Sequence, residues 1–123
     1  MNSNLILVVD DNPANLKLTR LMLVDAGYAV QTAIDAEHAM ALLETCVPRL
    51  ILMDLQLPGM DGFELTSRLK ADPKTRDTTI VALTAYAMKG DEQRALAAGC
   101  DGYITKPVNT RALASQIAGF MND

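Results

Sequence analysis

Positive charge is scarce in this chain: 11 Lys and Arg stand against 15 Asp and Glu, for a net charge of −4 and a pI near 4.8. That balance excludes a nucleic-acid footprint, and no window is basic enough to hold an anionic membrane surface. Cysteine is scarcer still. Cys46 and Cys100 are the two present, and with no signal peptide or long apolar stretch beside them they point to a reducing, cytoplasmic setting and structural thiols. The one histidine, His38, has no Cys, His or carboxylate neighbours at ligand spacing and is assigned no role. Repeats, low-complexity tracts and linkers are also missing. The 123 residues, 50% of them apolar, are therefore expected to form a single domain over residues 1–123, large enough to bury about two-thirds of its unfolded surface.

What the chain does contain is a set of short apolar runs, several of which end in chemistry. Leu5 to Val9 ends in Asp10 and Asp11, Leu50 to Met53 in Asp54, and Thr79 to Leu83 in Thr84 and Ala85. Such runs are too short for helices and too continuous for half-exposed strands, so they read as strands buried on both faces. Tyr28 to Ala33 and Tyr103 to Thr105, the latter leading to Lys106 and Pro107, complete a set of five.

Helix signals fill the gaps. Asn12 is a cap with Pro13 in the first position and Gly27 the stop after Ala26. Asp35 caps a helix to about Thr45, and Pro48 closes that unit. Asp61-Gly62-Phe63-Glu64 resembles a capping box opening a helix to about Ala71, ended by Asp72-Pro73. A fourth helix begins at Lys89 or Gly90 and stops at Gly99, and Asn109 caps a last one to Phe120. On the first helix, Leu18, Met22, Leu23 and Ala26 are expected to face the core. Leu16, Leu21 and Val24 are then surplus, either a docking face or scattered surface leucines.

Strands alternating with helices, joined by right-handed crossovers, predict an α/β fold: a five-stranded parallel sheet, order 2-1-3-4-5, in a flavodoxin-like doubly wound (βα)5 sandwich. Ligands bind at the carboxyl edge of such a sheet, where Asp10, Asp11, Asp54, Thr84 and Lys106 converge. A lone Asp after a strand is usually a cap or turn residue. Three together repel, by about 4 kcal/mol for a pair ~4 Å apart at an effective dielectric of ~20. An oxygen-rich acidic site of this kind suits Mg²⁺. Lys106 adds a compact cation, and the Thr84 hydroxyl is a donor to an anionic oxygen. In such a pocket Asp54 is a nucleophile toward phosphorus, and in-line attack would leave an acyl phosphate on it.

From about Leu5 to Phe120 the chain resembles the receiver domains of bacterial two-component response regulators. The resemblance rests on the Asp10-Asp11 pair, on Asp54 within Leu-Met-Asp-Leu-Gln-Leu-Pro-Gly-Met-Asp-Gly, on Thr84-Ala85, and on Tyr-Ile-Thr-Lys-Pro from Tyr103 to Pro107. It implies that Asp54 is the phosphoacceptor. It also implies that Asp11, Asp54 and the Gln56 backbone carbonyl ligate Mg²⁺ directly, with Asp10 reaching it through water. Thr84 and Tyr103 match the family's switch pair, Lys106-Pro107 its cis peptide, and Gln56 and Tyr86 the positions that tune the lifetime of the phosphorylated state. The implied donor is a histidine kinase or histidine phosphotransfer protein, and the implied output is a downstream protein bound at helices 4 and 5 and strand 5, with no nucleic acid and no membrane involved. By the same resemblance the chain is a switch that catalyses only its own phosphorylation and dephosphorylation.

The run Thr84-Ala-Tyr-Ala-Met-Lys-Gly-Asp-Glu is similar both to single-domain cell-cycle regulators and to receivers of hybrid histidine kinases. Other Asp or phosphate chemistries fit less well. A dehalogenase-type phosphatase places its Asp after the first strand with an acid two residues on, whereas Asp54 is followed there by Gln56. A flavodoxin needs a phosphate cradle where this chain has Asp-Asp-Asn-Pro. An unphosphorylated pseudo-receiver serving as a binding scaffold is the remaining alternative.

Overall fold

A computed structural model describes residues 4–55, 62–84, 91–105 and 112–121. The strands are β1 (Leu5–Val9), β2 (Ala29–Ala33), β3 (Leu50–Asp54), β4 (Thr79–Thr84) and β5 (Gly102–Thr105). The helices between and after them are α1 (Pro13–Asp25), α2 (Ala36–Leu43), α3 (Gly62–Ala71), α4 (Asp91–Ala98) and α5 (Leu113–Met121). All neighbouring strands pair in parallel, in the order β2-β1-β3-β4-β5, as the βα alternation requires. Every residue of β1 and β3 is buried, which is why both read as unbroken apolar runs. On edge strand β2 exposed and partly buried positions alternate until Ala33.

Register is what delivers the strand ends to one place. Val9 pairs with Met53 and Asp54 with Leu83, so Asp10, one residue past Val9, stands level with Asp54.

Two apolar layers cover the sheet. One packs α2, α3 and α4 residues, among them Ala39, Leu43, Leu65, Leu69 and Ala95, against Leu7, Val9, Ile51 and Met53. The other sets Leu16, Leu23, Leu113 and Ile117 from α1 and α5 against Ile6, Val8, Leu52 and Val81. The seating of α4 is slight. Among its described side chains only Ala95 is buried, and a buried methyl contributes about 0.8 kcal/mol. Below the sheet, Lys70 ties α3 to the β4–β5 side: its Nζ donates to the carbonyls of Arg76 (3.2 Å) and Thr78 (2.8 Å) and to Asp101 Oδ2 (3.0 Å). Asp101 Oδ2 also accepts the Ile80 N–H at 2.8 Å.

The expected core face of α1 is corrected. Leu16, Thr19 and Leu23 are buried and Met22 is half-buried, whereas Ala26 is exposed. Leu18 is 48% exposed, and Leu21 and Val24 are exposed as well. The true line runs through Thr19, a polar residue that an apolar pattern passes over. Following Leu18 instead turns the face by one residue, about 100° of helix.

Some ends also differ. Tyr28 N–H donates to Leu23 O at 3.1 Å, so Tyr28 completes the stop of α1 and β2 starts at Ala29. Gly27 takes the left-handed φ of +100° that this stop demands. α2 ends at Leu43, short of Thr45, where the Thr45 hydroxyl and Cys46 thiol both turn back to Leu42 O at 3.1 and 3.2 Å. β5 begins one residue early, at Gly102. Asp61, Lys89, Gly90 and Asn109, read as helix starts, lie outside the described residues.

Candidate functional site

The edge where β1 and β3 end carries the acidic group. Asp10 follows the last residue of β1, its N–H donating to Ala33 O at 3.1 Å. Its Oδ1 accepts the Asn12 N–H at 2.9 Å, which bends the chain over the strand end. The Asn12 side chain in turn accepts from Ala14 N–H at 2.9 Å and Asn15 N–H at 3.2 Å, the N-cap of α1. Asp10-Asp11-Asn12-Pro13 thus forms a strand-to-helix turn that leaves two carboxylates beside a helix N-terminus.

Asp54 closes β3. Its backbone is fixed against β4, by the pairing with Leu83 and by Leu55 N–H donating to Leu83 O at 3.1 Å. One carboxylate oxygen from each of Asp10, Asp11 and Asp54 lies within 4.8 Å of the other two. Asp10 and Asp54 are each 2% exposed, and Asp11 is exposed. Two such charges 4.8 Å apart repel by about 3.5 kcal/mol at an effective dielectric of ~20, so the arrangement calls for a cation. All-oxygen, anionic donors are those that hard divalent ions prefer, magnesium among them.

The remaining expected residues are placed in part. Thr84 ends β4 and pairs with Thr105, while Tyr103 pairs with Ala82. Thr84 and Tyr103 therefore sit on neighbouring strands, two residues apart in register, and Tyr103 is 36% exposed. Gln56, Tyr86, Lys106 and Pro107 lie outside the described residues. His38, assigned no role, accepts the Ile34 N–H on Nδ1 at 3.4 Å, and its own N–H is capped by Asp35 at 2.8 Å.

A further residue of the site is Gly62. It opens α3 and donates its N–H to Leu55 O at 3.3 Å. A Cβ placed there would lie 2.6 Å from the carbonyl oxygen of Asp54 and 2.8 Å from Leu55 Cα, so only glycine lets α3 begin directly against the backbone of Asp54. In the sequence Gly62 reads as part of a capping box and as the last residue of the motif around Asp54, with no role of its own. The signal that it does more, a Gly eight residues beyond the acidic strand end, has no meaning until the loop is closed.

Comparison with known proteins agrees with this geometry. The family described as response regulator receiver domain matches residues 6–118. The polar-differentiation response regulator DivK of Brucella anthropi is 38% identical over 118 residues, 96% of each chain. Among solved structures, the receiver domain of a sensor histidine kinase from Pseudomonas aeruginosa, with a magnesium ion coordinated in its active-site cleft, superposes with a TM-score of 0.89. It is 34% identical, with 98% of each chain covered. The chemotaxis response regulator CheY4 of Vibrio cholerae has the same TM-score at 29% identity, with 94% of this chain and 97% of that one covered. A parallel sheet whose first and third strands end in three gathered carboxylates, matched by that family over nearly its whole length, places this chain in the response regulator receiver domain family.

Proposed function

We propose that Asp54 is the phosphoacceptor of this receiver, taking a phosphoryl group from the phosphohistidine of a histidine kinase or histidine phosphotransfer protein. The observation that carries the reading is the convergence of three carboxylate oxygens within 4.8 Å at the ends of β1 and β3. One carboxylate could be a cap, but three, two of them buried, form a cation site built around a nucleophile. Asp10, Asp11 and Asp54, with the Gln56 backbone carbonyl, would hold Mg²⁺. When bound, the ion supplies the positive charge that offsets these carboxylates and the phosphoryl oxygens.

Asp54 contributes the attacking oxygen, and the backbone pairing of β3 and β4 holds it in place. The Lys106 ammonium balances charge on the transferred group. Thr84 and Tyr103 carry the state of Asp54 outward, and Gln56 and Tyr86 tune how readily water reaches the acyl phosphate. The output partner is a protein docking on α4, β5 and α5, where Leu96 and Tyr103 are exposed. Residues 1–123 work as one such unit in the cytoplasm. The unit turns over no external substrate beyond its own phosphorylation and hydrolysis.

Incubation with acetyl phosphate and Mg²⁺ tests the reading. One phosphoryl group should be added per chain, and Asp54→Asn or chelation of the metal should abolish labelling. Asp11→Ala should weaken Mg²⁺ binding more than Asp10→Ala. Undiminished labelling of Asp54→Asn would place the nucleophile elsewhere.

A further inference from the structure

α4 is held unevenly. Its carboxyl end is pinned from several directions: Cys100 N–H donates to Ala95 O at 3.0 Å, Asp101 N–H to Ile80 O at 2.7 Å, and Ser67 Oγ to Ala98 O at 3.5 Å. The Lys70 to Asp101 pair lies just beyond. Further toward the start of the helix, the exposed Arg94 guanidinium sits over the ring of Phe63 on α3, 4.1 Å from the centroid. Phe63 is half-buried against the core layer that includes Met53 and Leu55. It follows Gly62, whose N–H donates to Leu55 O at 3.3 Å and where a side chain would run into the Asp54 carbonyl. The acceptor backbone, the first turn of α3, the Phe63 ring, Arg94 and α4 thus form one unbroken series of contacts.

We propose that the Arg94–Phe63 stack is a latch that ties α4 to the acceptor end of β3, so that loading Asp54 works against the seating of α4. This rests on the reading of Asp54 as phosphoacceptor. A phosphoryl group adds bulk and charge at a strand end to which the first turn of α3 is hydrogen-bonded through Gly62, so the element that yields is that first turn. Phe63 moves with that turn. Arg94 then either leaves the ring or draws α4 about its pinned carboxyl end, and with Ala95 as the one buried described anchor α4 resists weakly apart from the stack. Because coupling between sites is reciprocal, breaking the latch makes Asp54 easier to load.

Titration with beryllofluoride in saturating Mg²⁺, followed by calorimetry, reads this directly. Arg94→Gln and Phe63→Leu should each bind about two- to five-fold more tightly than the parent, the factor that an exposed cation–π pair carries, and the double variant no more tightly than either alone. If Arg94 acted only as a positive charge attracting the anion, Arg94→Gln would bind more weakly and Phe63→Leu would not change, which overturns the latch. Equal affinities overturn it too. Arg94 is exposed, so Arg94→Gln alone decides the matter should Phe63→Leu fail to fold. A parent that binds no beryllofluoride overturns the phosphoacceptor reading and the latch together, whereas a parent that binds and variants that match it overturn the latch alone.

Discussion

Gly62 and Cys100 show how single residues near the sheet edge and beneath it are constrained by what surrounds them. At Gly62 the constraint is contact: a methyl group would meet the Asp54 carbonyl at 2.6 Å, closer than real atoms approach, and that oxygen belongs to backbone. Gly62→Ala should therefore lower stability by about 1 to 3 kcal/mol, the range for overpacking, and slow acetyl phosphate labelling of Asp54, measured by denaturant unfolding and mass spectrometry. Parental labelling would mean that α3 shifts without moving the strand end.

At Cys100 the constraint is solvation. Burial pushes its thiol above the ordinary value of 9.0, and the proximity of Asp101 acts the same way. The contact with Thr66 and the Lys70 charge pull it down. A raised folded value means that the unfolded chain loses this proton first, so the contribution of Cys100 is whole below about pH 9 and is lost as pH climbs through the higher folded value. The stability of the parent should fall more steeply above pH 9 than that of Cys100→Ala. Parallel curves would show that the thiol titrates alike in both states.

Among the elements, β4 and β5 have the most direct bearing on how a signal leaves the site. Thr84 ends β4 against Thr105, and Tyr103 lies two residues back on β5 with a partly exposed ring. In the switch proposed for them, a phosphoryl oxygen on Asp54 draws the Thr84 hydroxyl inward through a charge-assisted hydrogen bond, and the Tyr103 ring turns inward after it. Losing one such bond removes about 1.5 to 3 kcal/mol of bias toward the switched state. Thr84→Ala should accordingly accept a phosphoryl group on Asp54 yet bind the output partner ten-fold or more weakly, and its Tyr103 ring resonances should not shift with beryllofluoride. A parental shift in that variant would route the signal elsewhere. On the opposite side of the sheet α1 shows how an element is placed by what it packs on. Its burial line of Leu16, Thr19 and Leu23 includes a threonine because position 19 falls on the buried face of the helix, and three apolar residues, Leu18, Leu21 and Val24, are left outside.

At the scale of the whole molecule, a cation held by the gathered carboxylates, as proposed, would offset their mutual repulsion in the folded state, which links metal binding to stability. Saturating Mg²⁺ should raise the unfolding temperature by about 10 °C, since a ligand at about a hundred times its Kd contributes ~2.7 kcal/mol. Asp54→Asn should show a smaller rise, and an equal rise would place the ion away from Asp54. The fold class and the strand order were legible in the amino-acid sequence. Strands buried on both faces show as continuous apolar runs, and the handedness of βα crossovers leaves few topologies for five of them. That Asp10, Asp11 and Asp54 follow two such runs was legible for the same reason. Their approach to within 4.8 Å was decided by tertiary structure, because it depends on Val9 lying opposite Met53, a register set by packing between segments more than forty residues apart in the chain. The face of α1, the contact of Gly62 with Asp54 and the seat of Arg94 on Phe63 were decided there too. A periodic pattern records how apolar a residue is, whereas which neighbour it meets is settled only when helices and sheet close on one another at 3 to 4 Å, the range over which dispersion and steric repulsion act.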